Sequence, residues 1–495
     1  MGPTSVCRQL SQRVQDEGIR NMRYISTRGN APTLCFKDAL LVGLASDGGL
    51  YVPAAWPKLT LNDIRSFRGK PYTEVAFAVM SPFVGGEIDD VDLRQIIEEA
   101  YATFHHPAVT PLVQMGPNDW LLELFHGPTL AFKDVAMQML SRLMDHVLRE
   151  RGERLTIVGA TSGDTGGAAL EAFKNCNGID TFFMFPNGKV SDFQRRQMTT
   201  IGAENCHAIA IDGSFDDCQS MVKDMFGHQS FANKIRLSAV NSINWGRVMA
   251  QVVYYFTAAA ALGAPEQRVS FTVPTGNFGD IYAGFVAKQM GLPISRLVIA
   301  TNENDILART LTTGDHRLES VKPTITPSMD IQISSNFERL LFEAAGQDST
   351  IVRDLMAALK NNHNYSLPDK MLTFIRDSFD AGVVSEIETL EEVALILRNT
   401  GYLTDPHTAI AVKVAREHAD PDVPMVTLST AHPAKFPDTV HDATGKTSHP
   451  PVWGDIPAER SETVAHLMND RACVEAHILE HFFRAQKLIN STAKD

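Results

Sequence analysis

Short apolar segments alternate with helix-like segments through the middle of this 495-residue chain. Strands separated by helical segments indicate parallel βαβ units, in which helices cover the faces of a mostly parallel sheet. Such sheets bind ligands in the loops beyond the carboxyl ends of their strands. We therefore expect an α/β fold with its site at those loops. The segments with strand-like composition are residues 155–158, 181–185, 208–211, 269–273, 297–300 and 426–428.

Composition excludes several other classes of protein. The chain carries 45 basic and 58 acidic residues, a net charge of −13, and no basic block, so we expect no nucleic-acid partner. Its six cysteines form no Cys-x-x-Cys pair, which favours reduced thiols and a cytoplasmic location. The longest uncharged run, residues 248–264, is shorter than the ~20 residues that a membrane span needs, and it predicts a buried helix instead. Residues 1–21 lack the apolar core of a signal peptide, and we expect them to form a mobile leader.

Two glycine-rich loops directly follow strand-like segments and precede helix-like ones. They are Gly159-Ala-Thr-Ser-Gly-Asp-Thr-Gly-Gly167 and Pro274-Thr-Gly-Asn-Phe-Gly-Asp280. Glycine permits tight turns that expose successive amide groups, and a helix N-terminus adds partial positive charge. Both loops are therefore candidate anion sites. The first suits a carboxylate, because it lacks the lysine of a P-loop, and the second suits a phosphate monoester.

Lys133 lies among apolar residues in Phe125-His-Gly-Pro-Thr-Leu-Ala-Phe-Lys-Asp134. An amine removed from water has a lowered pKa, so it can attack a carbonyl near neutral pH and later act as a base. The ordinary alternative is a lysine that begins an amphipathic helix and extends its amine to water. The two glycine loops favour the covalent role.

These motifs together resemble the threonine synthases. The resemblance rests on the Lys133 segment, on both glycine loops, and on Leu428-Ser-Thr-Ala-His-Pro-Ala-Lys-Phe436. Met22-Arg-Tyr-Ile-Ser-Thr-Arg-Gly29 and Ser46-Asp-Gly-Gly-Leu-Tyr-Val-Pro53 resemble the longer bacterial and fungal branch of that family. The resemblance covers about residues 22 to 440.

The resemblance implies an α/β enzyme of fold type II that uses pyridoxal 5'-phosphate, like the tryptophan synthase β-subunit. We expect two helix-covered, largely parallel sheets and an N-terminal domain of residues 22–110. The large cofactor domain should comprise residues 111–133 and 247–495, with a helical insertion at about 310–385. Residues 134–246 should form a small mobile domain. The expected assembly is a monomer or a homodimer.

The resemblance also implies roles for individual residues. Lys133 would carry the cofactor and act in catalysis, and Thr430, with Ser429 as second choice, would face the pyridine nitrogen. Asp164 would face the ring hydroxyl, where many relatives carry asparagine. The phosphate-binding loop would contain Gly276, Asn277, Phe278, Gly279 and Asp280. Residues assigned to the substrate are Thr161, Ser162, Thr165, Asn241, Ser242, Asn244 and Arg247, without a metal.

The implied reaction converts O-phosphohomoserine and water to L-threonine and phosphate. A related phospholyase, which releases a 2-oxo acid and ammonia, is the alternative. His477-Ile-Leu-Glu-His481 also matches the H-x-x-E-H pattern of zinc peptidases, although only fourteen residues follow it. A scaffold without a cofactor is disfavoured because Lys133 and both anion loops are present.

Overall fold

The computed structural model describes residues 22–238 and 240–492, so the expected leader lies outside the described residues. Within this range the chain divides into two compact units. The first unit contains residues 22–139 and 242–450, and the second contains residues 140–241 and 451–492. Each unit has its own parallel sheet.

Fifteen strands occur in the described residues. In chain order they are β1 (Tyr24–Ser26), β2 (Tyr51–Pro53), β3 (Leu112–Gln114), β4 (Asp119–Glu123), β5 (Leu155–Ala160), β6 (Ile179–Pro186), β7 (Cys206–Ile211), β8 (Leu237–Ser238), β9 (Val269–Pro274), β10 (Ile294–Thr301), β11 (Asp315–Arg317), β12 (Asn364–Ser366), β13 (Phe379–Val383), β14 (Met425–Ser429) and β15 (Ala465–Leu467).

Nineteen α-helices occur in the same residues. They are α1 (Phe36–Val42), α2 (Leu61–Ser66), α3 (Tyr72–Val84), α4 (Asp90–Tyr101), α5 (Lys133–Arg151), α6 (Asp164–Phe173), α7 (Asp192–Thr199), α8 (Phe215–Gly227), α9 (Gln229–Ile235), α10 (Trp245–Ala261), α11 (Gly279–Gln289), α12 (Ile306–Thr313), α13 (Phe337–Ala344), α14 (Ser349–Asn362), α15 (Asp369–Arg376), α16 (Glu386–Thr400), α17 (Pro406–Glu417), α18 (Pro437–Thr444) and α19 (Arg471–Thr492).

The first unit is built on a six-stranded sheet in the order β13-β10-β9-β14-β4-β3. All its pairs are parallel except β3 with β4. The strands predicted at residues 269–273, 297–300 and 426–428 are confirmed as β9, β10 and β14. The carboxyl ends of β4, β9 and β14 therefore lie at one edge of the sheet, which is where this architecture places ligands.

The predicted buried helix at residues 248–264 is confirmed as α10, whose residues from Val248 to Phe256 are all buried. Its apolar surface on every side makes it a core helix of the first unit. No helix in the described ranges has both the length and the apolar character required to cross a membrane.

The expected N-terminal domain, residues 22–110, is not a compact unit by itself, because it packs into the first unit. Trp245, the first residue of α10, lies 5.9 Å from the Tyr24 ring, 6.1 Å from Trp56 and 5.5 Å from Phe83. Aromatic clusters of this kind bury large apolar areas, which explains why the segment packs within the first unit.

The second unit has a five-stranded, all-parallel sheet in the order β15-β7-β6-β5-β8. Its outer strand β15 corrects the expected boundary, which assigned residues 451–495 to the large domain. Helix α19 adds Val474, Ile478 and Phe482 to a core cluster with Phe182 and Met184 of β6. Apolar burial therefore ties the C-terminal segment to the second unit.

Replacing Ile478 with alanine should destabilise the second unit, because the side chain is 0% exposed in this cluster. Loss of a buried isoleucine in a packed core costs about 2–5 kcal/mol. Urea unfolding followed by circular dichroism measures the loss. Glu480→Ala, on the exposed face of the same helix, is the control and should leave the midpoint unchanged. Equal effects of the two substitutions would contradict the docking of α19 described here.

Candidate active site

Lys133 is buried at the start of α5, with 8% of the residue exposed. The segment before it turns tightly: Leu130 adopts a φ of 61°, and a Cβ at Gly127 would lie 2.5 Å from the Cβ of Asp134. Asp134 accepts hydrogen bonds from the amide and the hydroxyl of Thr129, each at 2.7 Å. Lys133 begins a helix, as in the ordinary alternative, but with 8% of the residue exposed it is not a solvated surface lysine.

The lysine segment is joined to the chain after β14 by backbone hydrogen bonds. The Phe132 amide donates to the Thr430 carbonyl at 2.8 Å, and the His432 amide donates to the Leu130 carbonyl at 3.0 Å. The buried amine of Lys435 adds a bond of 2.8 Å to the Thr129 carbonyl. Lys133 and Thr430 are thus held in adjacent backbone, as the resemblance requires.

The structure distinguishes Thr430 from Ser429, the two candidate partners of a pyridine nitrogen. The Ser429 hydroxyl lies 3.2 Å from the Thr408 hydroxyl. Within the described residues, the hydroxyl of the buried Thr430 has no hydrogen-bond partner. Thr430 is therefore the better placed hydroxyl for a ligand atom.

The second glycine loop, Gly276–Gly279, follows β9 and precedes α11. Its shape depends on residues of the 310–385 region. A Cβ at Gly276 would collide with the Ser328 carbonyl. Ser334 donates a hydrogen bond to the Gly276 carbonyl, and Asn336 donates to the Asn277 carbonyl. Phe278 adopts a left-handed conformation with a φ of 62°.

In the described part of the chain, none of the amides of Gly276, Asn277, Phe278 and Gly279 has a protein acceptor. Successive unpaired amides at the start of an 11-residue helix form a nest for an anion. These residues therefore fit the phosphate of the expected cofactor.

Asp280 follows the nest but points away from solvent, and its carboxyl group accepts hydrogen bonds from Tyr254 and, at 3.3 Å, from Tyr255. Its second oxygen is buried without a hydrogen-bond partner. Burial raises the pKa of Asp280 to about 7, and the two tyrosine hydroxyls only partly oppose this shift. The Asp280 side chain is therefore bonded to the tyrosines of α10, next to the nest. These partners give no support to the prediction that Asp280 contacts the cofactor.

Arg247, the third residue of α10, is 4% exposed, and its Nε is buried with no hydrogen-bond partner. Burial lowers the pKa of its guanidinium to about 10, so the group stays charged at neutral pH. No carboxylate in the described chain forms an ion pair with it. A buried, unpaired cation is costly in a folded protein, which indicates a site for an anion.

The neighbours of Arg247 differ from expectation. Asn244 caps α10, accepting a bond of 2.9 Å from the Gly246 amide, and its amide group donates to the Leu40 carbonyl at 2.8 Å. Its side chain is thus engaged in the fold, so Asn244 is a weak candidate for substrate binding. Asn241 and Ser242 do not cap this helix.

The first glycine loop, in the second unit, differs in detail from a simple anion site. The Thr161 hydroxyl accepts hydrogen bonds from the amides of Gly163 and Gly166, each at 2.9 Å. These two amides, which we expected to face an anion, therefore already have an acceptor. The amides of Ser162 and Thr165 have no acceptor within the described residues. Ser162 and Thr165 therefore remain candidate donors to a ligand, whereas Thr161 shapes the loop.

Sequence reasoning missed Gln194, which is buried against the same loop. It donates to Asp164 at 2.9 Å, and a Cβ at Gly163 would collide with its side-chain amide. The close approach explains why glycine stands at 163, where φ is 139°. The sequence indicates the helix that carries Gln194 only through Ser191, the residue that caps its N-terminus.

The zinc-peptidase pattern lies in the second unit. His477 and His481 are neighbours on α19, with ring centres 4.6 Å apart, and His207 of β7 lies 4.2 Å from His481. Burial, together with the other two imidazoles, lowers the pKa of His207 to about 3. The described residues include no group of three or more histidine, cysteine or acidic side chains suited to hold a metal ion.

Comparison with known proteins agrees with this geometry. Residues 104–430 match the family model described as pyridoxal-phosphate dependent enzyme, residues 23–101 match threonine synthase N terminus, and residues 408–478 match threonine synthase, C-terminal. The chain is 54% identical to the threonine synthase of Pseudomonas aeruginosa, over 94% of this chain and all of the relative.

Two solved structures are also similar. The PLP-bound threonine synthase of Brucella melitensis is 58% identical with a TM-score of 0.92, covering 93% of this chain and 99% of the other. The yeast threonine synthase is 37% identical with a TM-score of 0.87, covering 94% and 99%. The fold and the lysine site thus define a pyridoxal-phosphate-dependent enzyme of fold type II. Within that class, the chain belongs to the threonine synthase family.

Titration of Asp280 should make stability depend on pH. Because its pKa is raised to about 7 in the folded protein, its contribution to stability is complete below its unfolded pKa and is lost as pH rises through 7. Asp280→Asn should remove this component, which thermal melts of the apoprotein between about pH 5 and pH 8 would reveal. Tyr254→Phe, which removes a donor to the carboxylate, should extend the loss to higher pH. An unchanged pH dependence in Asp280→Asn would contradict the assignment.

Proposed function

We propose that this protein converts O-phosphohomoserine and water to L-threonine and phosphate, as its family membership indicates. The observation that carries the proposal is the buried guanidinium of Arg247, which has no counter-ion among the described residues. The Gly276–Gly279 nest accounts for one phosphate, that of the cofactor, and Arg247 is then available for the phosphate of the substrate. A planar guanidinium binds phosphate through charge-assisted hydrogen bonds.

Lys133 would hold the cofactor in the resting enzyme and, once displaced by the substrate amine, would take the proton from Cα. Burial supports this role, because a desolvated amine is a stronger candidate for a base near neutral pH. When bound, pyridoxal phosphate supplies the electron sink that allows protons to leave carbon and the γ-phosphate to depart. The protein contributes binding, orientation and proton transfer.

Thr430 would donate a hydrogen bond from its hydroxyl to the pyridine nitrogen and keep its proton, so that nitrogen would stay largely unprotonated. The electron sink is then weaker, so the Lys133 base and the binding of the leaving phosphate must contribute more. In the second unit, we assign the substrate carboxylate to Ser162 and Thr165, because their amides have no acceptor within the described chain. Asn241 and Ser242 remain proposed substrate contacts, and Asp164 a proposed contact to the cofactor.

The alternative product outcome, a 2-oxo acid and ammonia, would use the same residues, so product analysis by chromatography separates the two activities. We further propose a cytoplasmic protein that acts as a monomer or homodimer. The free thiols of Cys35, Cys176, Cys206, Cys218 and Cys473 are consistent with a reducing compartment.

Replacing Lys133 with alanine should abolish threonine formation and the visible absorbance of the bound cofactor, since the proposed function assigns both to the Lys133 amine. Borohydride reduction of the wild type, followed by peptide mapping, should locate the label at position 133. Lys435→Met, at a second buried lysine, is the control: its label should remain on Lys133. Turnover retained by Lys133→Ala would overturn the assignment.

Replacing Arg247 with methionine should raise the KM for O-phosphohomoserine by about tenfold to a hundredfold, the range expected when a charge-assisted hydrogen bond is lost. The same substitution should leave the thermal midpoint of the apoprotein unchanged or raise it, because it removes a buried charge that no carboxylate in the described ranges pairs with. Steady-state kinetics and thermal melts measure both. A lower midpoint with an unchanged KM would show that Arg247 has a structural role instead.

A further inference from the structure

Glu123, the last residue of β4, has a mostly buried carboxylate that none of the roles above uses. Its side chain is 13% exposed. One oxygen lies 2.7 Å from Nε2 of His126, and the other accepts a bond of 2.7 Å from the Tyr402 hydroxyl. Both carboxylate oxygens are therefore engaged by side chains from different parts of the first unit.

The two partners come from segments that flank the lysine site. His126 belongs to the turn that leads to Lys133, and Tyr402 lies in the connection between α16 and α17. In the parallel pairing of β4 with β14, Glu123 is the register partner of Ser429, the residue before Thr430. The Leu124 amide also donates to the Ser429 carbonyl at 3.0 Å.

The electrostatics favour an ionised carboxylate at this position. Burial by itself would raise the pKa of Glu123, but the hydrogen bonds from His126 and Tyr402 and the nearby imidazoles lower it below its ordinary value. Burial, followed by the charge of Glu123, raises the pKa of Tyr402 well above its ordinary value, so this hydroxyl stays protonated and remains a donor. Hydrogen bonds to a buried charge are stronger and better oriented than neutral ones.

We propose that Glu123 is a positioning residue for this reaction: by holding His126 and Tyr402, it orients the Lys133 segment against the end of β14 that carries Thr430. The inference rests on the proposed roles of Lys133 and Thr430. Glu123 touches neither substrate nor cofactor in this account. It acts through backbone that is already joined by the Phe132–Thr430 hydrogen bond.

A purely structural role is the competing explanation, and a matched control separates the two. Glu392 of α16 is also buried, at 4% exposure, and forms an ion pair with Arg416. Losing either carboxylate should lower stability. Only the loss of Glu123 should change how Lys133 and Thr430 hold the cofactor.

The experiment compares holoenzyme of the wild type, Glu123→Gln, Tyr402→Phe, their double variant and Glu392→Gln. For each protein it measures the absorption spectrum of the bound cofactor, the dissociation constant for pyridoxal phosphate, and kcat and KM for O-phosphohomoserine. We expect Glu123→Gln to shift the absorption band, to weaken cofactor binding about tenfold or more, and to lower kcat more than it raises KM, as loss of a charge-assisted contact predicts. The double variant should show nearly the same defects in spectrum, cofactor affinity and kcat as Glu123→Gln. Each single substitution already breaks the same contact, the one between Glu123 and Tyr402.

Glu392→Gln should show the wild-type spectrum and cofactor affinity despite a lower thermal midpoint. The proposal is overturned if Glu123→Gln and Tyr402→Phe both keep the wild-type spectrum, cofactor affinity and kcat. If Glu123→Gln does not fold, Tyr402→Phe, which removes a single hydroxyl, decides by the same criteria. If the wild type binds cofactor but produces no threonine, the proposed function fails, whereas the spectra and dissociation constants still test Glu123.

Discussion

The backbone pairing between Leu130–Phe132 and Thr430–His432 determines where the lysine and the hydroxyl of the site can lie. These segments are about three hundred residues apart in sequence, yet two hydrogen bonds of 2.8 and 3.0 Å align them. Backbone groups at this depth must be paired, so these two hydrogen bonds fix the register of the two segments. The unusual residues nearby, such as Gly127 and the left-handed Leu130, are the local consequence of bringing the two chains together.

Much of the first-unit sheet was predictable from sequence because its strands are buried on both faces. Such strands read as continuous apolar runs, and the residues predicted at 269–273 and 297–300 were found in strands that are one to four residues longer. Lys133 and the Gly276–Gly279 loop could also be identified as candidate site residues from the sequence. A glycine-rich loop after a strand and an isolated lysine in apolar surroundings are both local sequence patterns.

What could not be predicted depends on contacts between distant segments. Ser328 and Asn336 shape the nest around Gly276, but neither carries a motif that points to that loop. Strand β15 has only three residues, and its pairing with β7 has no signal in its composition. Likewise, Glu123 is an unremarkable residue in sequence, and only the fold reveals that it bridges His126 and Tyr402.

Two buried ionisable groups of the first unit show how the fold selects an anionic ligand. Burial disfavours charge on both, but it lowers the pKa of Arg247 only to about 10 while raising that of Asp280 to about 7. At neutral pH the guanidinium therefore remains charged, whereas the carboxyl group is near the midpoint of its titration. Among the described residues, no carboxylate forms an ion pair with this buried positive charge. If Arg247 binds the substrate as proposed, an ester of phosphate would satisfy this charge, whereas a neutral hydroxyl at the same carbon would leave it unpaired. This difference would favour a phosphorylated amino acid over its parent alcohol as the substrate.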